Sequence, residues 1–344
     1  MATHELMKLS ERRDALVKLG EHLRGEDEFL EALMHRSHYH NQWFTIENQK
    51  QAIQAIAEHF LDAEKLQQWL GHYHLDDHIQ PKKVGLVLAG NIPLVGFHDV
   101  LCVFAAGHRA QIKLSDKDQY LLPYLLQLLA KFDERAGSYF EIVPNLRDFE
   151  AVIATGSNNS SRYFEAYFSK VPNIIRKNRN AIAVLTGDES TEELQRLGED
   201  VFQYFGLGCR NVSKIYVPRQ YDFNALLEAL HEYREIILHT KYKNNFDYNY
   251  ALYILNKTTH LANGCIILTE SQSLQSRIAG LHYEYYDNLA QMDAEIEARA
   301  EEIQCVVAQD NLLSARTLPF GKAQQPELWD YADGVDTMQF LLAL

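Results

Sequence analysis

Cys209 stands in Phe205-Gly206-Leu207-Gly208-Cys209-Arg210-Asn211, between an apolar helix-patterned run and the apolar stretch 215–217. A thiol that only fills a core needs no glycines beside it, whereas a thiolate attacking a carbonyl needs open backbone and a path of approach. The spacing admits a nucleophile, against the ordinary alternative of an inert core thiol. Asn91, in Gly90-Asn91-Ile92-Pro93, follows an apolar strand pattern and opens a helical one. Its amide either faces an oxyanion or ligand, or caps a helix ahead of a first-turn proline. Lys113-Leu114-Ser115-Asp116 ends a second strand pattern with a cation and a hydroxyl, which could hold an adenosine ribose. The plainer reading is a solvated strand end with Ser115 as an N-cap. Thr155-Gly156-Ser157-Asn158-Asn159 closes another strand, and unpaired N–H groups with a helix dipole would suit a pyrophosphate there; the alternative is again a capping turn. Three such turns on one sheet weigh more together than singly. No Gly-x-Gly-x-x-Gly fingerprint is present.

The histidines invite two further readings. His35, His38 and His40, and His72, His74 and His78, cluster as metal ligands might, but neither set has cysteine or paired carboxylate support, so no metal is expected. His239, His260 and His282 could pair with Cys209 as in a thiol hydrolase, although no local hydrolase signature accompanies the cysteine.

The 344 residues, 47% apolar and 23% charged, are enough for at least one large core and predict two compact domains. A net charge of −14 argues against unaided binding to nucleic acid. The four cysteines, Cys102, Cys209, Cys265 and Cys305, are far apart with no CxxC pair, which predicts neither disulfides nor structural zinc and fits a reducing cytoplasm. Residues 1–13 already carry Glu, Lys and Arg, so no signal peptide is expected. The most apolar stretch, 84–107, is interrupted by Asn91, Pro93, His98 and Asp99, so no membrane span is expected either.

The elements that must place these residues follow from the apolar rhythm. Residues 1–80 are charged and helix-patterned, as in 51–70, and predict a helical cap. From Val84, strand patterns at 84–89, 110–114, 139–143 and 151–154 alternate with helical ones at 94–106 and 119–132, the signature of βαβ units on a parallel sheet. A Rossmann-like cofactor domain is therefore expected over 81–178. A catalytic α/β domain over 179–318 follows, with a strand at 181–185, a helix over 191–205, the Cys209 turn and further strands near 215, 266, 281–285 and 305–308. The segment 319–344, with Trp329, Tyr331 and Phe340, is too aromatic for a solvated tail and is expected to dock on its own or a neighbouring subunit.

In order, Gly90-Asn91-Ile92-Pro93, Lys113-Leu114-Ser115, Thr155-Gly156-Ser157 and Gly208-Cys209 match the motif series of the aldehyde dehydrogenase superfamily. More closely, the chain resembles its LuxC-like acyl-CoA reductase branch. Leu88-Ala89-Gly90-Asn91-Ile92-Pro93-Leu94-Val95-Gly96-Phe97-His98-Asp99 carries that likeness, with Leu281-His282-Tyr283-Glu284-Tyr285-Tyr286 and Leu328-Trp329-Asp330-Tyr331-Ala332-Asp333-Gly334. The resemblance covers roughly residues 81–344.

It implies an aldehyde dehydrogenase-like α/β fold with Cys209 as nucleophile and Asn91 as oxyanion-hole amide. Lys113 and Ser115 become adenosine-ribose contacts, and Thr155, Gly156 and Ser157 lie by the pyrophosphate. The family's Glu-Leu-Gly-Gly glutamate, which activates water, has no counterpart: the matching stretch reads Asn173-Ile174-Ile175-Arg176-Lys177. Arg277 stands where the family has a turn proline near the nicotinamide ribose. Loss of the glutamate would protect an acyl thioester from water. The expected function is reduction of an acyl-CoA, or another acyl thioester, to an aldehyde in a homo-oligomer. NADPH is the expected cofactor, since the branch uses it and Lys113 and Ser115 could receive a 2′-phosphate, with NADH favoured instead by Asp116. A cysteine acyltransferase or thioesterase without hydride transfer, and a non-catalytic nucleotide-binding protein, remain the alternatives.

Overall fold

The computed structural model describes residues 6–77, 79–156 and 158–344. The chain forms two compact units, Met1–Asn178 with Pro326–Leu344, and Arg179–Gln325.

The first unit begins with four helices, α1 (Leu9–Leu23), α2 (Glu28–His40), α3 (Ile46–Ala55) and α4 (Ala63–Leu70). The Asp27 carboxylate accepts from Phe29 N and Leu30 N to start α2, and Asp62 does the same for Glu64 N and Lys65 N in α4. That second cap breaks the helix expected over 51–70. A π-helical turn at Ile56–Phe60 absorbs the end of α3, and Gly20 lies so close to Leu61 that any Cβ there would meet it at 2.7 Å.

Strands β1 (Lys83–Val87), β2 (Arg109–Lys113), β3 (Phe140–Ile142), β4 (Ala151–Thr155) and β5 (Asn173–Arg176) follow. Between them come α5 (Phe97–Ala106), α6 (Leu121–Phe132) and α7 (Asn158–Phe168). The sheet is parallel throughout in the order β3-β2-β1-β4-β5. Its central strands are buried on both sides, which is why they read as short continuous apolar runs. On one face Val84, Leu86, Ala110 and Ile112 share a core with Leu16, Leu19, Leu61 and Trp69 of the N-terminal helices. On the other, Val152 and Ala154 pack with Phe149, Phe164 and Phe168.

Residues 326–344 return to this unit. Trp69 Nε1 donates to Tyr331 Oη at 2.8 Å, and Tyr73 Oη donates to Asp336 at 2.9 Å. The last helix, α12 (Thr337–Leu342), lies beside α5, and its Leu341 carbonyl accepts from His108 Nε2 at 2.9 Å. Tyr331 and Phe340 of the tail thus pack on their own chain, whereas Trp329 is exposed, and 319–325 stay with the second unit.

The second unit contains β6 (Asn180–Val184), α8 (Thr191–Phe202), β7 (Val212–Pro218), α9 (Phe223–His231), α10 (Thr240–Leu255), β8 (Leu261–Ala262) and β9 (Ile267–Glu270). It continues through β10 (Gly280–Tyr286), α11 (Leu289–Ala298), β11 (Ile303–Val307) and β12 (Thr317–Leu318). The order is β12-β11-β6-β7-β10-β9-β8, parallel except for the β8–β9 pair. Ser190 and Glu193 start α8 with a reciprocal capping box. No helix among the described residues is long and apolar enough to cross a membrane.

Candidate active site

In the first unit the strand order places the three candidate turns together. β2, β1 and β4 are neighbours, and the order reverses between β1 and β4, so the segments after all three open onto one carboxyl edge at the topological switch point. Ligands of open α/β sheets collect at such a point.

Asn91 lies in 88–96, which is neither strand nor helix, and is half-buried. Helix α5 starts only at Phe97 with Gly96 as N-cap, so Asn91 is not the helix cap that the sequence admits. Lys113 ends β2 and is exposed, its carbonyl accepting from Leu88 N at 3.1 Å. Ser115 does not cap α6, which begins at Leu121. Its Oγ instead accepts from Lys117 N at 3.3 Å in a local turn. The two turns touch: a Cβ on Gly90 would sit 2.4 Å from Ser115 Oγ, so only glycine lets the backbone pass.

Thr155 is half-buried at the end of β4. The Gly156 N–H, expected to be unpaired, donates to Arg176 O at 3.3 Å and extends the β4–β5 ladder. Donors for an anion must therefore come from the first turn of α7. A Cβ on Gly156 would meet Ser160 Cβ at 2.9 Å and Phe164 Cε2 at 2.8 Å, so glycine permits the tight entry into α7. Ser157 and His78 lie outside the described residues.

In the second unit Cys209 sits at the amino edge of the sheet, in the turn between α8 and β7. Helix α8 ends because Tyr204 (φ 52°), Phe205 (φ 59°) and Gly206 (φ 74°) are all left-handed. Each non-glycine residue there costs about 1–2 kcal/mol. Packing opposes that cost: Tyr204 is buried, and the Phe205 ring lies 4.3 Å from His239 and 6.1 Å from Tyr242 between centroids. The three residues swing the chain out of the helix and deliver Gly208-Cys209 to the head of β7.

Asn211 clamps the turn, and the sequence reading missed it. Its Oδ1 accepts from Gly208 N at 2.7 Å, and its Nδ2 donates to Asp200 O at 3.0 Å and Gln203 O at 2.8 Å. Its own N–H closes the turn onto Gly208 O at 3.1 Å. An asparagine three residues after a glycine reads as a solvated turn residue, but this one is 2% exposed. Asp200 extends the scaffold, accepting from Gly321 N at 2.7 Å and Ala323 N at 2.9 Å, while burial pushes its carboxyl up to about 7. Asn211→Ala should lower stability by roughly 2–4 kcal/mol in urea unfolding, because Gly208 N and the α8 carbonyls lose their partner without solvent to replace it.

Two of the other thiols are shielded from reaction. Cys102 and Cys265 are buried, and burial raises both, Cys265 to about 11. Cys305 is half-buried like Cys209 but lies within the regular strand β11. Of the candidate histidine partners, His260 Nδ1 donates to Thr258 O and His282 Nδ1 to Ser273 O, and neither bonds Cys209. His239 reaches the cysteine turn through Phe205.

Arg176, in the stretch matched to the family's glutamate motif, is buried in β5. It pairs with Asp99 at 2.6 Å and donates to Ala332 O and Thr337 Oγ1. Arg277 donates to Asn249 Oδ1 at 3.3 Å. Two of the clustered histidines bond backbone: His38 Nδ1 donates to Phe44 O and His40 Nε2 to Asp116 O. Among the described residues no group of three or more His, Cys, Asp or Glu side chains is placed to hold a metal ion.

No family model matches the chain, and no curated protein matches it. Solved structures do. An oxidoreductase from Marinobacter aquaeolei is 11% identical, over 94% of this chain and 80% of that one, with a TM-score of 0.69. An aldehyde dehydrogenase from Physcomitrella patens in complex with succinate is 14% identical, over 99% and 85%, at 0.66. An indole-3-acetaldehyde dehydrogenase from P. syringae in complex with NAD+ is 13% identical, over 88% and 72%, at 0.63. The chain therefore has an aldehyde dehydrogenase-like fold.

Proposed function

We propose that this protein is a nicotinamide-dependent oxidoreductase acting at the aldehyde and acyl-thioester level, and more specifically an acyl-CoA reductase. The observation that carries this reading is the Cys209 turn: a half-buried thiol on a strained, Asn211-clamped turn, within a fold shared with aldehyde dehydrogenases. Nicotinamide binding is supported by the adjacent turns after β2, β1 and β4, where Lys113 and Ser115 would hold the adenosine ribose and the α7 start the pyrophosphate. The close backbone approach at Gly90 fits such a ligand.

In the proposed reaction the Cys209 thiolate attacks the carbonyl carbon of an acyl-CoA, forming an S–C bond. The oxyanion is stabilised by the Asn91 amide and the Cys209 N–H. The tetrahedral adduct collapses with cleavage of the bond to the CoA sulfur, which leaves as thiolate, and the acyl group stays on Cys209. A bound reduced nicotinamide would supply the hydride for reduction of that acyl group. Cys209 then departs as thiolate from the resulting thiohemiacetal, releasing the aldehyde. The stretch 173–177 holds Arg176 rather than a carboxylate, which favours survival of the thioester against water.

NADPH is the preferred cofactor, through Lys113 and Ser115. The test is a panel of acyl-CoAs of increasing chain length assayed with each nicotinamide. The reading predicts acyl-CoA-dependent loss of nicotinamide absorbance, faster with NADPH than with NADH. Thioester cleavage with no absorbance change would point instead to a cysteine acyltransferase or thioesterase.

A further inference from the structure

The turn that carries Asn91 and the loop that carries Lys113 and Ser115 are joined by a buried side chain, Asp118. It is 7% exposed. Its Oδ2 accepts from Leu94 N at 2.8 Å, and its Oδ1 is enclosed without a hydrogen-bond partner. Leu94 has φ 55°, a conformation that a branched residue adopts only where its surroundings impose it. The loop bearing Asp118 is itself anchored to α2: His40 Nε2 donates to Asp116 O at 2.7 Å and Asn41 Nδ2 to Lys117 O at 3.3 Å. One carboxylate therefore transmits the position of that anchored loop to the Asn91 turn.

An ion in this place works against stability. Burial raises the Asp118 carboxyl to about 6, opposed only by the Leu94 N–H. The charged residues of its own loop, Lys113, Asp116 and Lys117, are exposed, and His40 from α2 donates to the Asp116 carbonyl and lies edge-on to the Tyr120 ring. Asparagine would offer the same acceptor without the charge. A carboxylate with an orphaned oxygen is more than a structural tie requires.

We propose that Asp118 is a positioning residue whose ionised carboxylate locks Leu94 and so holds the Asn91 amide in register with the Lys113–Ser115 loop. This rests on the oxidoreductase reading above. Protonation would weaken the charge-assisted bond, so activity is lost as pH falls through about 6.

The test uses the full chain as wild type, Asp118→Ala, Asp118→Asn and His40→Gln. Asp118→Ala should lower kcat about 10- to 100-fold, with KM for acyl-CoA nearly unchanged, as misplacement of a transition-state donor requires. Asp118→Asn keeps the acceptor without the charge and so mimics the protonated carboxyl: its kcat should stay near the level to which wild type falls at low pH, with no acidic limb. His40→Gln should keep that limb, which separates Asp118 from the α2 side chain that anchors the loop. In hydrogen exchange, residues 90–97 should lose protection in Asp118→Ala and retain more of it in Asp118→Asn. An Asp118→Ala enzyme within about twofold of wild type, or an acidic limb that persists in Asp118→Asn, overturns the proposal while leaving the functional reading intact. A wild type that neither binds nicotinamide nor reduces acyl-CoA overturns the functional reading and the positioning role with it.

Discussion

Replacing Cys209 by alanine will abolish acyl-CoA-dependent oxidation of reduced nicotinamide and leave nicotinamide binding and the fold in place. The size of the effect follows from chemistry: removing a covalent nucleophile costs roughly 10⁴- to 10⁶-fold in kcat. The fold should survive because Asn211, with the packing of Tyr204 and Phe205, shapes the turn. The candidate cofactor turns lie on a different sheet, so fluorescence titration with NADPH should give wild-type affinity. Cys102 and Cys265 cannot readily substitute, since both are buried and their thiols are shifted up. Residual turnover above about 1% of wild type would direct attention to Cys305, the other half-buried thiol.

Asn91→Ala should lower kcat about 10²- to 10³-fold, with KM for acyl-CoA changed much less. In the proposed reaction the amide serves the oxyanion, which exists only in the transition state and the tetrahedral adduct, so its loss should spare ground-state binding. The turn should keep its shape, since the close approach of Gly90 to Ser115 and the Asp118 to Leu94 bond do not involve the Asn91 side chain. Asn91→Asp is the sharper variant, because a carboxylate facing a developing negative charge should be slower still. Circular dichroism and melting temperature near wild type, with kcat reduced, would separate this effect from unfolding. Normal turnover in Asn91→Ala would remove Asn91 from the chemistry.

The parts of this account that sequence could supply are those governed by local rhythm. Strands β1 and β4 are buried on both faces, so each appears as a short apolar run ending near Gly or Thr, and β2 shows the weaker pattern Ala110, Ile112 and Leu114, so the turns after them were legible. Their adjacency depends on topology, but the alternation of strand and helix already constrained it. The strand β5 was missed because Asn173 and Arg176 make it read as polar. Arg176 is tolerated there only through Asp99, Thr337 and Ala332, which are distant in sequence. The break in 51–70 was hidden by an unbroken apolar stripe, although the helix yields there to the Asp62 cap and to the close contact of Gly20 with Leu61.

In the candidate site the proposed reactive residues were legible and their supports were not. Cys209 and Asn91 were marked by neighbouring glycines and proline. Asn211, Asp200 and Asp118 are polar residues in polar stretches, and their roles come from burial and from partners at N–H groups up to 123 residues away. The left-handed Tyr204 and Phe205 were equally silent, because nothing in two aromatic residues announces positive φ. The glycine whose local signal was clearest, Gly206, is only the last of the three.

The central claim is that Cys209 holds an acyl group until hydride reaches it, and it is tested most directly by trapping that group. The protein is mixed with radiolabelled acyl-CoA without nicotinamide, the peptide carrying Cys209 is isolated, and NADPH is then added to an identical sample. The account predicts close to one hydroxylamine-labile acyl group per chain on Cys209, discharged by NADPH as aldehyde. Label on another residue, or release as free acid whether or not NADPH is present, would contradict it.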